Sequence, residues 1–531
     1  MEKDEQIDNS MTSRLLYALP QILAVMVKNC LMLSFGMNLG FSTILIGGLL
    51  EKNSEIFYVN QNQISWIGSM SLLTIPFGSV LSGILTQPFG RKRSMQFITI
   101  PFIICWIVFY LSKELWHIYL ALGFMGFFGG LVEAPFSAYV SEITQPHLRG
   151  TLSITGSIAV LLGVFIQFML GTFYRWRTCA IISCTFPIIT FILFFFVPES
   201  PYWLILNNKM DEAKKGLAWL RGWAKLEDVE IELQEIFNRH VIRKNGNCLN
   251  AVSTSSSQLS IEKVKPFLKK SFFWPFGIVV FTMILAQFDG SSTLQTYAIS
   301  IFATLNVPIN TYYATLMLAG SQFVAGIVSA IFIHRVGRRK MTFISLAGVT
   351  ICNTCIGIYA YVHDVKNVIL INENETVNDL NAQNWIPLTL LMLLSFLDHC
   401  GMYMLPWVLI GELYSYDTRS VGCGISSAVS YLINFTSNNL FLRTVSGLTM
   451  CGAYILYGII SFVGIIVLYY ILPETEGKTL EEISDHFAGL SKLGNEVGRK
   501  HEKFSVSGTT NPVFNYEESK IRDNQIVSSK L

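Results

Sequence analysis

Long apolar stretches recur along almost the whole chain, and short polar segments separate them. Each stretch is long enough, at roughly 20 residues, to cross a hydrocarbon core of about 30 Å as an α-helix. Twelve such spans are predicted, numbered here in chain order: 22–48, 64–88, 94–112, 116–143, 151–174, 176–197, 272–303, 311–334, 340–362, 385–414, 420–443 and 447–472. The pattern therefore predicts an all-α integral membrane protein with twelve transmembrane helices.

A charged segment divides the spans into two groups of six. It shows helical patterning at 210–223 and 227–244, followed by a serine-rich stretch at 253–260, so we expect a soluble helical linker. The predicted organisation is an N-terminal segment (1–21), a first six-helix bundle (22–197), the linker (198–270), a second six-helix bundle (271–472) and a polar tail (473–531).

Positive charge is concentrated in loops on one side of the predicted membrane. The loop after span 2 holds Arg91, Lys92 and Arg93, and the loop after span 8 holds Arg335, Arg338, Arg339 and Lys340. Lysine and arginine in short loops stay on the cytoplasmic side. We therefore expect these loops, the linker and both termini to be cytoplasmic.

The opposite side includes an acidic loop at 364–379 with the acceptor pattern Asn374-Glu375-Thr376. Asn374 is therefore the predicted N-glycosylation site. A second acceptor pattern begins at Asn434, but it lies inside span 11 and is predicted to stay unmodified.

Composition agrees with a membrane protein and excludes other classes. The 531-residue chain is 51% hydrophobic and 14% charged, whereas soluble domains carry roughly 25% charged residues. Its net charge of +2 offers no large field for nucleic acid. Most of the ten cysteines lie inside spans, and Cys352 and Cys355 form a Cys-x-x-Cys in an apolar stretch, where packing is the simpler role. No His, Cys and carboxylate cluster has metal-ligand spacing, so neither an enzyme nor a bound metal or cofactor is expected.

Three short motifs occur once in each half, in the same order. They are Phe89-Gly90-Arg91-Lys92 with Val336-Gly337-Arg338-Arg339, Glu142 and Arg149 with Glu412 and Arg419, and Pro198-Glu199-Ser200 with Pro473-Glu474-Thr475. A duplicated six-helix unit explains them. Parallel repeats of this kind, with substrate bound between them near the membrane midplane, are an architecture of transporters.

The repeated motifs place guanidinium and carboxylate groups at the cytoplasmic ends of the spans. In each half the glutamate and the arginine are seven positions apart, which on a helix would place both on one face. We predict a network of ion pairs that forms in one conformation and breaks in the other, and so biases a two-state equilibrium. The simpler alternative is that these charges only set the topology.

The most specific segment follows span 12 and reads PETEGKTLEEI, at 473–483. It occurs in order with YVSEI at 139–143, LRG at 148–150, PESPYWL at 198–204 and PWVLIGEL at 406–413. On these motifs the chain resembles, over residues 20–485, the sugar porters of the major facilitator superfamily, which include animal glucose facilitators and insect trehalose transporters. The resemblance implies a six-plus-six fold. It also implies that a cytoplasmic charge network closes the inner gate, formed by Arg91, Glu142, Arg149, Glu199, Arg338, Glu412, Arg419 and Glu474.

Three positions depart from the family pattern near this gate. Gln87 and His334 stand where an acidic residue usually precedes the glycine-arginine loop, and Tyr202 stands where arginine is usual. Fewer charge pairs would then hold the cytoplasmic side shut. We expect a shifted balance between inward-facing and outward-facing states, and an inactive relative is the alternative.

The resemblance also implies a substrate site on spans 7, 10 and 11. The expected substrate-binding residues are Gln287, Asp289, Ser292, Trp407 and Asn438. Amides and hydroxyls can pair with sugar hydroxyls, and tryptophan can stack on a sugar ring. Ser292 replaces a usual asparagine, and Ser157 replaces a glutamine that the family often has on span 5, so the sequence does not determine the specificity.

Besides Glu142 and Glu412 of the repeated motifs, three acidic residues fall inside predicted spans: Glu133, Asp289 and Asp398. Buried carboxylates are costly and by default functional. Because Asp289 lies in the substrate segment, we predict that it hydrogen-bonds substrate and gives transport some pH dependence. Span 1 has no carboxylate, whereas proton-coupled members of the family carry an aspartate there, so a facilitator is favoured.

Together these features predict a facilitative transporter of a sugar, a hexose or a disaccharide such as trehalose, that works by alternating access in the plasma membrane. Its partners would be the sugar and the lipid bilayer, with no nucleic acid, and a monomer is expected. Three alternatives stay open: a carrier of another polar or charged solute, a proton-coupled symporter, and a non-transporting nutrient receptor.

Overall fold

The computed structural model describes residues 2–50, 59–238, 270–368, 385–414, 419–478, 480–490 and 493–494. Within these ranges the description leaves out some side chains, among them those of Arg149, His334 and Arg419. The predicted glycosylation site Asn374 lies outside the described residues. The described backbone is mostly α-helical and contains no strand.

The first group of spans consists of six long helices. They are α1 (Glu2–Leu50), α2 (Gln61–Phe89), α3 (Arg91–Leu111), α4 (Leu115–Ile143), α5 (Pro146–Phe173) and α6 (Trp176–Leu193), followed by a short 3-10 helix at Phe194–Phe196. Two linker helices come next, α7 (Pro201–Leu206) and α8 (Met210–Leu220). An apolar cluster that includes Trp203, Leu217 and Val229 holds the linker helices together.

The second group contains broken helices. Span 7 consists of α9 (Lys270–Gln287), α10 (Ser291–Thr296) and α11 (Ala298–Thr304), while spans 8 and 9 are α12 (Thr311–Val336) and α13 (Arg338–Val362). Span 10 consists of α14 (Ile386–Cys400) and α15 (Leu405–Leu413), spans 11 and 12 lie in α16 (Arg419–Ile471), and α17 (Leu480–Ala488) follows. Within α16 the backbone leaves helical geometry at Thr449, with φ 64° and ψ 169°, so one element holds two spans. The prediction of twelve spans is confirmed.

Local sequence explains the break in span 7. After α9 ends at Gln287, Gly290 adopts φ 92°, a left-handed conformation that a residue with a Cβ atom rarely adopts. A carboxyl oxygen of Asp289 accepts a hydrogen bond from the backbone nitrogen of Ser291 at 2.9 Å. The backbone therefore changes direction here without losing all of its hydrogen bonds.

Helical spacing separates protein-facing from lipid-facing side chains. In α3, Met95, Phe102 and Trp106 are completely buried, whereas Ile104 and Leu111 are more than half exposed. Both faces are apolar because lipid contacts one and neighbouring helices contact the other. This arrangement is the one that a helix in a bilayer requires.

Glycines allow the helices of the first group to pack closely. A methyl group at Gly36 of α1 would collide with the carbonyl of Val160 of α5, and one at Gly78 of α2 would collide with the carbonyl of Phe127 of α4. Lipid tails are as apolar as leucine, so close backbone packing rather than hydrophobic burial stabilises such contacts. These glycines fix the positions of the four helices.

Candidate functional site

A charged cluster, which we call the first charged cluster, joins α3, α4 and α7 through Arg91, Glu142, Glu199 and Ser200. The Glu199 carboxylate accepts hydrogen bonds from the backbone nitrogens of Arg91 (3.0 Å), Lys92 (2.8 Å) and Arg93 (3.2 Å). The first backbone N–H groups of a helix have no partner within the helix and carry partial positive charge. Glu199 therefore caps the start of α3.

The Arg91 guanidinium completes the first charged cluster. Its Nε and Nη2 atoms donate to one oxygen of Glu142 at 3.1 and 2.8 Å. The other oxygen of Glu142 accepts a hydrogen bond from the Ser200 hydroxyl. Span 3, span 4 and the linker are thus held at one point.

The second half repeats this arrangement in the second charged cluster, formed by Arg338, Glu412, Glu474 and Glu476. Glu474, 1% exposed, accepts hydrogen bonds from the backbone nitrogens of Arg338 and Arg339, both at 3.1 Å. The Arg338 side chain pairs with Glu412 of α15 and, at 3.1 Å, with Glu476. Both charged clusters lie at the same end of their spans, on what we call the charged side.

The expectation that Glu142 and Arg149 share one helix face is wrong. α4 ends at Ile143, and Gln145 is extended with ψ 151°, because Pro146 disfavours a helical conformation in the residue before it. Glutamate and arginine therefore belong to different helices, and Glu142 pairs with Arg91 instead.

The same expectation is wrong for Glu412 and Arg419. Glu412 lies in α15, which ends at Leu413, and Tyr414 is extended with ψ 134°. Arg419 begins α16. Glu412 pairs with Arg338, whereas the side chains of Arg149 and Arg419 lie outside the described part of the structure.

The departure at Gln87 leaves the first charged cluster intact. Its side chain is exposed, while its backbone carbonyl accepts a hydrogen bond from the indole nitrogen of Trp203 at 2.7 Å. The Arg91–Glu142 pair forms beside it without an acidic residue at 87. The effect of His334 on gating stays a prediction.

Polar side chains of spans 7 and 11 meet in the interior, and we call Ser292, Asn434 and Asn438 the central polar cluster. The Ser292 hydroxyl donates to the Asn434 side-chain oxygen at 2.7 Å. The Asn438 amide donates to that same oxygen at 2.6 Å and to the Ser292 hydroxyl at 3.1 Å. Asn434 and Asn438 are one turn apart on α16, so both face span 7.

Two other predicted site residues lie next to this cluster. The backbone carbonyl of Gln287 accepts a hydrogen bond from the Ser437 hydroxyl at 2.7 Å, which ties the end of α9 to span 11. The Trp407 ring lies 5.9 Å from the ring of Tyr431, centre to centre, and Tyr431 is one turn from Asn434 on α16. The structure therefore brings Gln287 and Trp407 towards the same face of span 11.

Asp289 is the predicted site residue that faces elsewhere. It is completely buried, and its backbone carbonyl accepts a hydrogen bond from Asn353 of span 9 at 2.8 Å. Tyr457 of span 12 packs against the neighbouring Gly290. The carboxyl group also contacts Asp398 of span 10. Its surroundings are thus spans 9, 10 and 12, and the hydrogen bond to substrate stays a prediction.

Glu133 joins the two groups of helices. Its carboxyl group, on α4, accepts a hydrogen bond from the Ser79 hydroxyl at 2.5 Å, and the hydroxyl of Tyr431 on α16 lies beside it. Glu133 is well inside α4, away from both ends. A polar contact therefore crosses between the groups within the membrane, next to Trp407.

Further contacts between the groups lie on the side opposite to the charged clusters. The Thr43 hydroxyl donates to the Gln295 carbonyl at 2.8 Å, and the Gln61 amide donates to the Leu442 carbonyl at 3.2 Å. Gln61 begins α2, so this contact lies at the end of the span away from Arg91. Both contacts therefore join the two groups of helices on the side opposite to the charged side.

Comparison with known proteins assigns this chain to a family. Residues 28–487 match the model of a family described as sugar (and other) transporter. The chain belongs to this family. The match covers both groups of spans and the linker between them.

The relatives and structural neighbours cover most of the chain. The facilitated trehalose transporter of Polypedilum vanderplanki is 25% identical over 496 residues, 93% of this chain and 94% of that protein. The one of Apis mellifera ligustica is 26% identical over 469 residues, 88% of each. An inward open structure of the xylose transporter XylE from E. coli has a TM-score of 0.66 at 17% identity, covering 86% of this chain and 98% of that one. At this sequence identity, the structural similarity shows a shared fold and nothing about function.

Sequence reasoning missed several residues of these sites. Asn434 was set aside as an unused glycosylation pattern, although its one-turn spacing from Asn438 could have placed both on one helix face. Glu476 lies within PETEG but has no counterpart in the first half. Tyr431 carried no signal, because only helix packing brings it to Glu133.

Proposed function

We propose that the protein carries a sugar across the membrane by facilitative alternating access, with the substrate at the central polar cluster. The observation that supports this most is the cluster itself: amide and hydroxyl groups of Ser292, Asn434 and Asn438 inside the membrane, next to contacts between the two groups of helices. Without substrate, these groups hydrogen-bond one another.

A sugar is the solute that suits such a cluster. Its hydroxyls are both donors and acceptors, as are serine and asparagine side chains together. The indole of Trp407 offers an apolar face on the same side of span 11, where the ring of a sugar could stack. The names of the relatives, facilitated trehalose transporters, agree with this class of substrate.

The conformation fits one stage of alternating access. We propose that the charged side is cytoplasmic, because lysine and arginine are concentrated there. The contacts of Thr43 with Gln295 and of Gln61 with Leu442 then close the outer side, so the protein is inward-facing. Each charged cluster lies within one group of helices, so each can hold the ends of its own spans while the groups move.

The same proposal gives the topology of the chain, the membrane in which the protein acts and its oligomeric state. The predicted segments 22–197 and 271–472 would be the two moving bundles, and 1–21, 198–270 and 473–531 would be cytoplasmic. A carrier of external sugar would act in the plasma membrane, with Asn374 on the outer side available for a glycan. A monomer suffices, because the central polar cluster is complete within one chain.

Uptake by purified protein in liposomes tests the proposed function. Radiolabelled glucose, trehalose and fructose are supplied with and without a pH gradient, and protein-free liposomes are the control. We expect saturable uptake of at least one sugar without a gradient, competed by the unlabelled sugar. Uptake only with inward protons would indicate a symporter. Absence of uptake for every sugar would favour another solute or a receptor and refute the proposal.

A further inference from the structure

Span 4 carries a carboxyl group, that of Glu133, deep inside the first group of helices. Glu133 lies ten residues before the charged-side end of α4 at Ile143, about 15 Å from that end along the helix. The Ser79 hydroxyl of span 2 donates to one of its carboxyl oxygens, Oε2, at 2.5 Å. The other oxygen, Oε1, is buried and accepts no hydrogen bond from a described residue. Half of the carboxyl group therefore has no protein partner in the part of the chain that the structure describes.

No lysine or arginine among the described residues forms an ion pair with Glu133. Lys28 of span 1 also contacts α4, but its Nζ atom lies 3.4 Å from the ring centre of Phe136, one turn from Glu133. Lys28 is completely buried, and Nζ has no hydrogen-bond partner among the described residues. The ammonium group thus contacts an aromatic ring and leaves the carboxyl group without a counter-charge.

The Ser79–Glu133 pair faces the second group of helices. Ser79 lies eleven residues, about three turns, further along α2 than Gly68, so both residues are on the same face of that helix. At Gly68 this face touches the second group, because a Cβ atom there would lie 2.8 Å from Thr296 Cγ2 and 3.2 Å from Tyr297 Oη. The carboxyl group therefore lies at the junction of the two groups.

Two aromatic rings of the second group border the same junction. The hydroxyl of Tyr431 lies beside Glu133, and the Tyr431 ring lies 5.9 Å from the Trp407 ring, with 51° between the ring planes. Glu133, Trp407 and Tyr431 are all partly exposed, although each lies well inside its span. The carboxyl group and two angled ring faces thus surround a space between the groups.

A carboxylate next to aromatic faces suits a protonated amine. An ammonium group is attracted to the faces of tryptophan and tyrosine rings. Its pairing with the carboxylate also offsets the cost of removing both charges from water, which a neutral sugar would leave unmatched. Asn434, one turn from Tyr431 on α16, adds the central polar cluster, whose donors and acceptors match hydroxyl groups. The combined site therefore suits a solute with several hydroxyls and one amine.

We propose that Glu133 is the first group's contribution to the substrate site and that it selects an amino sugar, a hexose with a protonated primary amine. The ammonium group pairs with Glu133 between Trp407 and Tyr431, while the hydroxyls of the sugar pair with the central polar cluster. This inference rests on the proposed function, because it names the substrate class of the same site.

Uptake into liposomes at about pH 6.5, where the amine is protonated, tests the preference. Glucosamine is compared with glucose, which has a hydroxyl in place of the amine, and with N-acetylglucosamine, whose nitrogen is uncharged. We expect the KM for glucosamine to be about tenfold lower than that for glucose, because hydrogen bonds to charged groups are stronger. N-acetylglucosamine should show no such advantage over glucose.

Glu133→Gln removes the charge and keeps the shape of the side chain. It should raise the KM for glucosamine about tenfold, so that the preference disappears. The KM for glucose should change by no more than about twofold, because an amide still accepts a hydrogen bond from a hydroxyl. The matched control Glu114→Gln, at an exposed acid just before α4 begins, should keep the wild-type preference. Should Glu133→Gln fail to fold, the wild-type comparison of glucosamine with the neutral sugars decides alone.

The outcomes separate this inference from the proposed function. Equal KM values for glucosamine and glucose in the wild-type protein, or an unchanged preference in Glu133→Gln, would overturn the amine site and leave sugar transport standing. Absence of uptake for every sugar would refute the proposed function. Isothermal titration of the purified protein in detergent then tests the amine site by itself. Glucosamine binding that weakens about tenfold in Glu133→Gln would support the site, and equal binding by both proteins, or by neither, would overturn it.

Discussion

Gly90→Ala tests the connection between spans 2 and 3. Gly90 has φ 95° and ψ 166°, a region that glycine occupies almost alone. A Cβ atom there would lie 2.6 Å from Glu199 Oε2. That carboxylate cannot move freely, because backbone nitrogens of Arg91, Lys92 and Arg93 hold it. The added methyl group therefore strains the backbone and at the same time displaces the Glu199 carboxylate that caps α3.

The geometry gives the size of the effect. A non-glycine residue in this region costs about 1–3 kcal/mol. Weakening charge-assisted hydrogen bonds at a helix N-terminus adds about 1–2 kcal/mol, since each is worth about 1.5–3 kcal/mol and water replaces part of it. The sum, about 2–5 kcal/mol, should lower the melting temperature of the purified protein in detergent by about 2–5 °C, because the unfolding entropy grows with chain length.

Matched variants isolate the cause of the predicted loss of stability in Gly90→Ala. Gly83→Ala changes another glycine of α2 where a Cβ atom would meet nothing within 4 Å, so its melting temperature should stay the same or rise. Gly337→Ala, at φ 90° in the second half, should resemble Gly90→Ala. The double variant Gly90→Ala with Glu199→Ala should lose less than the sum of the single losses, because both disrupt one cap. An unchanged melting temperature for Gly90→Ala, or strict additivity, would refute the reasoning.

Three other substitutions test the site, the contact between the groups and the topology. Asn434→Ala should raise the KM for sugar about tenfold through lost hydrogen bonds, whereas the exposed Asn367→Ala should not; equal KM values would argue against the central polar cluster. Tyr431→Phe removes the hydroxyl that lies beside Glu133 and should shift the balance between inward-facing and outward-facing states by about two- to tenfold. Spin-label distances between the charged-side ends of spans 4 and 10 measure this shift, and an unchanged distribution would contradict it. Asn374→Gln should remove a glycan, seen as faster gel migration, without changing uptake; a variant with unaltered migration would contradict the predicted modification.

The membrane spans and the repeat were readable from sequence because they depend on local properties. Roughly 20 consecutive apolar residues must form a helix in lipid, where no water satisfies the backbone. The glycines before Arg91 and Arg338 also carried a local signal, since both adopt positive φ at the turn into the next span. Twelve spans and two equivalent turns followed from such signals.

Contacts between residues far apart in the chain could not be predicted from the sequence, because they depend on how each helix is rotated and how the helices pack. The seven-residue spacing suggested that Glu142 faces Arg149, yet Pro146 ends the first helix and Arg91 supplies the guanidinium. Asp289 lies in the substrate segment by sequence, but at the break before Gly290 it is surrounded by residues of spans 9, 10 and 12.

The sequence by itself determined a twelve-span membrane protein of duplicated design, with charge on one side and polar residues in spans 7 and 11. Hydropathy, helical period and loop charge act within one or two turns of the chain. Predictions made from them therefore hold without any knowledge of how the helices pack. Tertiary structure alone decided that Asp398 meets Asp289 and that Glu133 meets Tyr431. These residues are far apart in the chain, and only the packed helices bring their side chains together.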